Sequence, residues 1–197
     1  MNKPYSESCD QNKEPILSVL SHLFASTQNV LEIGSGTGQH AVFFAEKLPH
    51  LKWHTSDCQP YLEGINMWLA EKNRMNVIAP FELDVTLSRW PELEVDAVFT
   101  ANSLHIMSKR DVESFMSGVG ELLDEKGKLV IYGPFNYHGT YTSDSNARFD
   151  QWLKDRDPLS GIKHFEDIVL LANKNAMQLV DDYEMPANNR ILHFTKQ

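Results

Sequence analysis

Glu32-Ile33-Gly34-Ser35-Gly36-Thr37-Gly38 is the stretch whose reading decides the fold. It closes a short apolar run, Asn29-Val30-Leu31-Glu32-Ile33, that reads as a buried strand. A helical stripe of Ala41, Val42, Phe44, Ala45 and Leu48 follows it and ends at Pro49. A glycine-rich turn between a strand and a helix lets a ligand approach the backbone with no Cβ in the way. The helix start adds free N–H groups and a positive dipole end. The dinucleotide pattern G-x-G-x-x-G is not met, because Gln39 stands where its third glycine belongs and Gly38 comes one residue early. No Gly-Lys-Ser/Thr follows, so the phosphate-cradling P-loop pattern fails as well.

The same alternation continues outward. Leu51 to Ser56 is extended and ends in Asp57, and Tyr61 to Asn73 has helical period. Ile78 to Asp84 and Val95 to Thr100 read as the third and fourth strands. Ser108 with Asp111 forms a capping pattern for a helix that buries Val112, Phe115, Met116, Val119 and Leu122. Gly127 lies just past its end, where a left-handed residue is often wanted. Lys128 to Tyr132 is a fifth strand, and helical segments follow near 147–154 and 163–175. The chain closes with extended runs 178–184 and 190–195, joined by a Pro/Asn turn that suits antiparallel pairing. Strands alternating with helices favour a parallel sheet with right-handed crossovers. Residues 1–15 are polar, carry Pro4 and Pro15, and read as an arm before a first helix near 16–24. Residues 135–157 form a long insertion that reads as a lid or substrate wall, within one domain spanning 1–197.

Composition narrows the class. The chain has 197 residues, 42% hydrophobic, and a formal net charge of −9. A chain of this length buries roughly 70% of its unfolded surface and needs no disulfide staples. Cys9 and Cys58 therefore read as reduced thiols of a cytoplasmic protein. The acidic balance speaks against nucleic acid as the main partner. No apolar run approaches the ~20 residues of a membrane span. His50 and His54 are four apart on an extended, Pro-flanked segment, so no metal site is expected. Met67, Met75, Met107, Met116, Met177 and Met185 read as core filler or loop anchors.

The order of Glu32, glycines 34, 36 and 38, Asp57, Asp84 and a fourth strand running into Asn102 resembles the class I S-adenosylmethionine-dependent methyltransferases. The resemblance implies an α/β, Rossmann-like, seven-stranded and mostly parallel sheet. Its last strand would be antiparallel and helices would cover both faces. It also implies S-adenosylmethionine as cofactor, with Gly34, Gly36 and Gly38 passing under its methionine and ribose parts and Glu32 orienting the loop. Asp57 would hold the ribose hydroxyls, and Asp84-Val85 would border the adenine. Cys58 stands beside Asp57, where it can meet the adenine edge. Nearly the whole chain is also similar to a family whose bacterial members are filed as a domain of unknown function and whose animal members are called methyltransferase-like protein 26. That similarity is carried by Tyr5-Ser6-Glu7-Ser8-Cys9 with Asn12, by Gly133-Pro134-Phe135-Asn136, by Thr142 to Asn146, by Arg156-Asp157-Pro158, and by Met185-Pro186-Ala187-Asn188-Asn189.

In an open parallel sheet, ligands sit beyond the carboxyl ends of the strands. The fourth strand delivers Asn102 and His105 to that edge, and the fifth delivers Asn136 and Tyr137. His105 is either a base or a histidine packed under the cofactor. Asn102 is placed to hold the substrate or the cofactor's methionine end, and Tyr137 is a further catalytic candidate. Asn136, Tyr137, Tyr141, Tyr5 and Asn12 are the substrate-facing candidates. The D/N-P-P-Y signature of nucleic-acid amino methylation is absent. The expected function is methyl transfer to a small-molecule or protein acceptor. A non-catalytic S-adenosylmethionine-binding module is the alternative, and a nucleotide-cofactor oxidoreductase is disfavoured by the misplaced third glycine.

Overall fold

The computed structural model describes residues 2–72, 76–87 and 90–197; Asn73 and Met75, placed above in a helix and in the core, lie outside the described residues. The chain divides into two compact units, Met1–Thr100 and Ala101–Gln197.

The first unit runs α1 (Glu7–Leu23), β1 (Asn29–Ile33), α2 (Gln39–Lys47), β2 (Lys52–Asp57), α3 (Leu62–Lys72) and β3 (Val77–Glu82), with β4 (Ala97–Ala101) at the division. β1 pairs in parallel with β2 and with β4, and β2 pairs in parallel with β3. β1 is buried at four of its five positions, as a parallel strand covered on both faces must be. Its core is aromatic: Phe44 and Trp53 have ring centroids 5.5 Å apart, Trp53 and Phe99 5.8 Å, and Phe44 and Phe99 5.7 Å.

The expected arm is helix over most of its length, since α1 begins at Glu7 and Pro15 lies inside it. A proline in a helix interior removes a hydrogen bond and normally ends the helix. Here the Ser6 side chain caps the Cys9 N–H, Glu7 and Asp10 complement the first-turn dipole, and Ile16 and Leu20 are fully buried. Together these hold the helix through the proline. The third strand also stops sooner than expected, at Glu82, leaving Asp84 in the loop beyond it.

The second unit runs α4 (Lys109–Leu122), β5 (Lys128–Gly133), β6 (Phe135–Asn136), α5 (Asp144–Arg156), β7 (Lys163–His164), α6 (Phe165–Lys174), β8 (Met177–Met185) and β9 (Asn189–Lys196). β9 lies between β5 and β8 and runs antiparallel to both. β6 and β7 make a separate two-stranded parallel ladder. The main sheet has seven strands in the order β3-β2-β1-β4-β5-β9-β8, the mostly parallel Rossmann-like α/β arrangement with the last strand antiparallel. Among the described residues no helix is long and apolar enough to cross a membrane.

α4 shows the full capping box: Ser108 Oγ accepts from the Asp111 N–H at 3.2 Å, and Asp111 Oδ2 accepts from the Ser108 N–H at 3.0 Å. Its end departs from expectation. Leu123, not Leu122, closes the buried face. The left-handed residue after the helix is Lys126, at φ 68°, rather than Gly127. Gly127 is needed for another reason: a Cβ there would lie 2.9 Å from the Asp124 carbonyl oxygen and 3.0 Å from the Leu123 side chain. Gly127→Ala is expected to lower stability by roughly 1–3 kcal/mol through overpacking, while Lys126→Gly relieves a left-handed conformation costing roughly 1–2 kcal/mol and is neutral or stabilising. Urea unfolding midpoints of the two variants should move in opposite directions or at least differ by that margin.

Candidate functional site

The turn after β1 is folded against the end of β2. The N–H groups of Gly34 and Ser35 both donate to the Ser56 carbonyl, at 3.0 and 2.9 Å. Ser56 answers with its own N–H to Ser35 Oγ at 3.2 Å and its hydroxyl to the Glu32 carbonyl at 2.8 Å. The Gly36 N–H donates to Asp57 Oδ2 at 2.7 Å, and the Cys58 N–H donates to Oδ1 at 2.7 Å. Gly34, Gly36 and Gly38 all have positive φ. At Gly38 (φ 88°) a Cβ would stand 3.1 Å from the Ile65 backbone, so the loop lies against α3. At Gly36 a Cβ would meet nothing within 4 Å, so bare backbone there faces open space.

Asp57 is half-buried, and burial raises its pKa while the Gly36 and Cys58 N–H bonds pull it back down. Each carboxylate oxygen takes one backbone donor and keeps a lone-pair direction for another. Glu32 is 1% exposed, and its Oε2 accepts from Trp53 Nε1 at 3.0 Å. Burial pushes its carboxyl up to about 7, opposed by the Trp53 and Ser35 contacts and reinforced by the Asp57 charge. Burial likewise raises the Cys58 thiol, with Asp57, Asp84 and Glu82 adding to it.

Three residues that sequence reasoning passed over organise the start of α2. Gln39 Oε1 accepts from the Ser6 N–H at 2.6 Å, and Gln39 Nε2 donates to the Ser6 carbonyl at 3.2 Å. His40 Nε2 is 2.7 Å from Asn12 Oδ1, and burial lowers the His40 pKa to about 4. The beginning of α1 is thus tied to the glycine loop through Ser6, Gln39 and His40. The one available signal was Gln39 itself, standing where a dinucleotide loop would have glycine. Asn12 is 9% exposed and engaged by His40, whereas Tyr5 is 62% exposed.

Beyond β3, Asp84 Oδ1 accepts from the Thr86 N–H at 2.9 Å and its hydroxyl at 2.7 Å, closing a local turn. Val85 is buried, and a cavity of about 390 Å³ lined by Glu82, Leu83, Trp90, Pro91 and Glu92 opens beside this turn.

In the second unit, Asn102 adopts φ 60°, and its N–H donates to the Tyr132 carbonyl at 2.9 Å. Its Oδ1 would be 3.9 Å from a Cβ at Gly133. His105 is buried with its ring edge-on to Phe149 at 5.1 Å, and burial lowers its pKa to about 4, with Lys163 contributing. Asn136 is 5% exposed, and its buried Oδ1 has no hydrogen-bond partner. The Tyr137 hydroxyl donates to Asp182 Oδ2 at 2.9 Å; burial first and Asp182 second raise its pKa strongly. The Tyr141 hydroxyl donates to Asp150 Oδ2 at 2.6 Å, and Asp150 also receives Lys154 Nζ and the Ile162 N–H. Both phenols therefore serve as neutral donors to carboxylates. Phe149 and Trp152 stack at 5.8 Å within α5. Among the described residues no group of three His, Cys, Asp or Glu side chains is arranged to hold a metal.

Residues 3–196 match the family model described as protein of unknown function (DUF938). Solved structures of methyltransferases share the fold. An O-methyltransferase family protein from Burkholderia thailandensis superposes with a TM-score of 0.83 at 15% identity, covering 94% of this chain and 56% of that one. Human N-acetylserotonin methyltransferase, solved in complex with S-adenosylmethionine, gives 0.81 at 12% identity, covering 96% and 53%. An O-methyltransferase family 2 protein from Planctomyces limnophilus, solved with apigenin, gives 0.80 at 17% identity, covering 94% and 56%. The chain spans about half the length of these structures.

Glu32 supplies a pH signature. Its folded pKa lies above the unfolded value, so the native state binds more protons between about pH 4.5 and 7, and stability falls as pH rises across that window. The loss attributable to Glu32 is on the order of 3 kcal/mol. Glu32→Gln is expected to flatten that fall, as read from denaturant unfolding at pH 4.5 and 7.5; an unchanged slope would count against a neutral Glu32.

Proposed function

Since the chain belongs to the DUF938 family of proteins of unknown function, and since its neighbours in fold are S-adenosylmethionine-dependent methyltransferases, we propose that it transfers a methyl group from S-adenosylmethionine to a small-molecule acceptor. We further propose that the animal methyltransferase-like protein 26 family is its kin, on the motifs at both ends of the chain. The observation that carries the reading is the open cradle over Gly36 with the Asp57 carboxylate fixed beside it.

The residues fit the cofactor. A Cβ at Gly36 would meet no protein atom within 4 Å, so the backbone at that point is available for close approach. Asp57 can accept hydrogen bonds from both ribose hydroxyls while keeping its two backbone donors. Glu32 acts from behind the loop by holding Trp53 and, through its carbonyl, Ser56. Val85 and Cys58 supply the adenine edge. Asp84 acts through its turn rather than a free carboxylate, since Thr86 occupies Oδ1 twice.

When bound, S-adenosylmethionine supplies an electrophilic methyl carbon: an acceptor lone pair forms the new bond as the carbon–sulfur bond breaks, its electron pair stays on sulfur, and the acceptor's proton passes to solvent. The protein's part in such a displacement is alignment and exclusion of water. His105, held neutral by burial, is a weak base at neutral pH, which supports a packing and positioning role over proton abstraction. Tyr137 and Tyr141 donate to Asp182 and Asp150 and support the walls of the acceptor region. A net charge of −9 supports a small-molecule acceptor over nucleic acid, and supports a cytoplasmic setting together with two free thiols.

Asp57→Ala is expected to weaken S-adenosylmethionine binding by roughly 1.5–3 kcal/mol, the scale of hydrogen bonds to a charged group. Calorimetry on the folded variant checks this, and undiminished affinity would overturn the ribose role. Release of labelled methyl into a small-molecule pool by the wild-type protein, absent from heat-denatured controls, tests turnover.

A further inference from the structure

A cavity of about 420 Å³ lies in the second unit between Tyr137, Thr142 and the β8–β9 turn. It opens at the carboxyl end of β5, where Gly133 pairs with Arg190. In sheets of this kind that edge is where ligands sit, and the volume suits a small metabolite.

The guanidinium of Arg190 is held in place from one side. Its Nε donates to Asp182 Oδ1 at 2.7 Å, and its Nη2 donates to the Asp182 carbonyl at 3.0 Å. The other carboxylate oxygen of Asp182 takes the Tyr137 hydroxyl at 2.9 Å. Asp182 thus orients the cation, and both of its carboxylate oxygens are engaged in doing so. A guanidinium carries two N–H donors on each terminal nitrogen. Nη1 and Nη2 therefore each keep one after these bonds, at the end of the side chain away from Nε. One carboxylate is already drawn to that end: Glu184 Oε1 stands 3.1 Å from Nη1, on a side chain that is 90% exposed.

The rest of the lining adds donors. Thr142 Oγ1 accepts from Asn146 Nδ2 at 2.9 Å, so its own hydroxyl proton is left to donate elsewhere. Asn189 Nδ2 gives one N–H to the Pro186 carbonyl at 3.2 Å and keeps the second. Asn188 brings a further carboxamide. Its backbone is left-handed, φ 57°, and its carbonyl receives Asn146 Nδ2 at 3.3 Å, so the buried Asn146 ties both walls together.

A guanidinium end and several neutral donors favour a ligand that brings acceptor oxygens and negative charge. The planar fork of Nη1 and Nη2 matches the two oxygens of a carboxylate. A single cation flanked by Asp182 and Glu184 suits one negative charge, because the two acids repel a dianion more strongly than a monoanion.

We propose that this cavity binds a small molecule by its carboxylate, through the terminal nitrogens of Arg190, and that the methyl acceptor is recognised here. The assignment rests on the methyl-transfer reading for its biological meaning but not for its binding chemistry. The test uses the full chain labelled with ¹⁵N at constant ionic strength. The Arg190 Nε signal and the side-chain amides of Asn188 and Asn189 are followed during titration with sodium benzoate, benzamide, benzylamine hydrochloride and sodium phosphate. Benzoate is expected to give saturable shifts in the millimolar range, benzamide to bind roughly fivefold more weakly for want of charge, and benzylamine to give no shift. Arg190→Lys, which keeps the charge and loses the fork, is expected to weaken benzoate about tenfold. Glu184→Gln, at an exposed position, removes the competing carboxylate and is expected to tighten benzoate about twofold, the scale of an exposed ion pair. Where Arg190→Lys does not fold, Glu184→Gln decides. No saturable shift with benzoate, equal binding of benzamide or benzylamine, tighter binding of phosphate, or an affinity that Glu184→Gln leaves unchanged or lowers would each overturn the proposal. S-adenosylmethionine is titrated into the same sample with the amides of Gly34, Gly36 and Gly38 as reporters. Failure there with a retained benzoate response removes the methyl-transfer reading alone, and the reverse removes this cavity alone.

Discussion

Three consecutive backbone N–H groups, those of Gly34, Ser35 and Gly36, all turn onto the last two residues of β2. A loop leaving a buried strand must satisfy its polar groups within a few residues or pay the desolvation of each one. Here the Ser56 carbonyl takes two and the Asp57 carboxylate takes the third, so the loop's position follows directly from the parallel register of β1 on β2. That register also sets Glu32 on the same face as Trp53, whose buried indole N–H needs an acceptor. The aromatic cluster of Phe44, Trp53 and Phe99 thus anchors the acid that stands two residues before the first glycine. Packing, loop shape and the placement of Asp57 are one constraint seen from three sides.

Local signals were legible in the sequence where the physics is local. β1 occupies the residues its apolar run marked, and α4 starts at the expected cap, because a strand stopping at glycine and a Ser-x-x-Asp box are decided within a handful of residues. The antiparallel return of the final two strands was legible for the same reason. α1 was misjudged because Pro15 is a strong local signal against helix, and the forces that override it are distant. They are the burial of Ile16 and Leu20 and the ties from Asn12 and Ser6 to His40 and Gln39. Gly127 misled in the opposite way: its lack of a side chain answers a steric approach from Asp124, while the neighbouring lysine takes the left-handed turn.

The polar groups of the candidate site show the same division. That Asp57 would stand at the end of β2 follows from strand length, whereas its bond to Gly36 requires the loop to curl back. Asp84 was legible as an acid near the third strand, but not as one spent on the Thr86 turn. Tyr137 and Tyr141 fall in an aromatic stretch that reads as a wall. Their carboxylate partners lie 45 and 9 residues away, and only the folded chain identifies them as structural donors. Gln39 is the reverse case, a residue dismissed as a failed glycine that proves to join two elements.

The segment following β4 shows how a site can be held without fixing its side chains. The carbonyls of His105, Ile106 and Met107 each receive a donor from one stretch of chain: the Gly161 N–H at 2.8 Å, the Ser160 hydroxyl at 3.1 Å and Lys163 Nζ at 2.7 Å. Asn102 enters the segment in a left-handed conformation secured by its own N–H on the Tyr132 carbonyl. Backbone acceptors thus carry the positioning, and Lys163 gives up solvation to do so, its pKa lowered by burial to about 8. A platform anchored in this way keeps its shape whichever side chains it displays. The His105 ring is then free to pack against Phe149 as a neutral edge. For the methyl transfer proposed above, whose demands are direction and dryness rather than proton transfer, a rigid backbone and an uncharged imidazole would meet those demands more directly than a strong base.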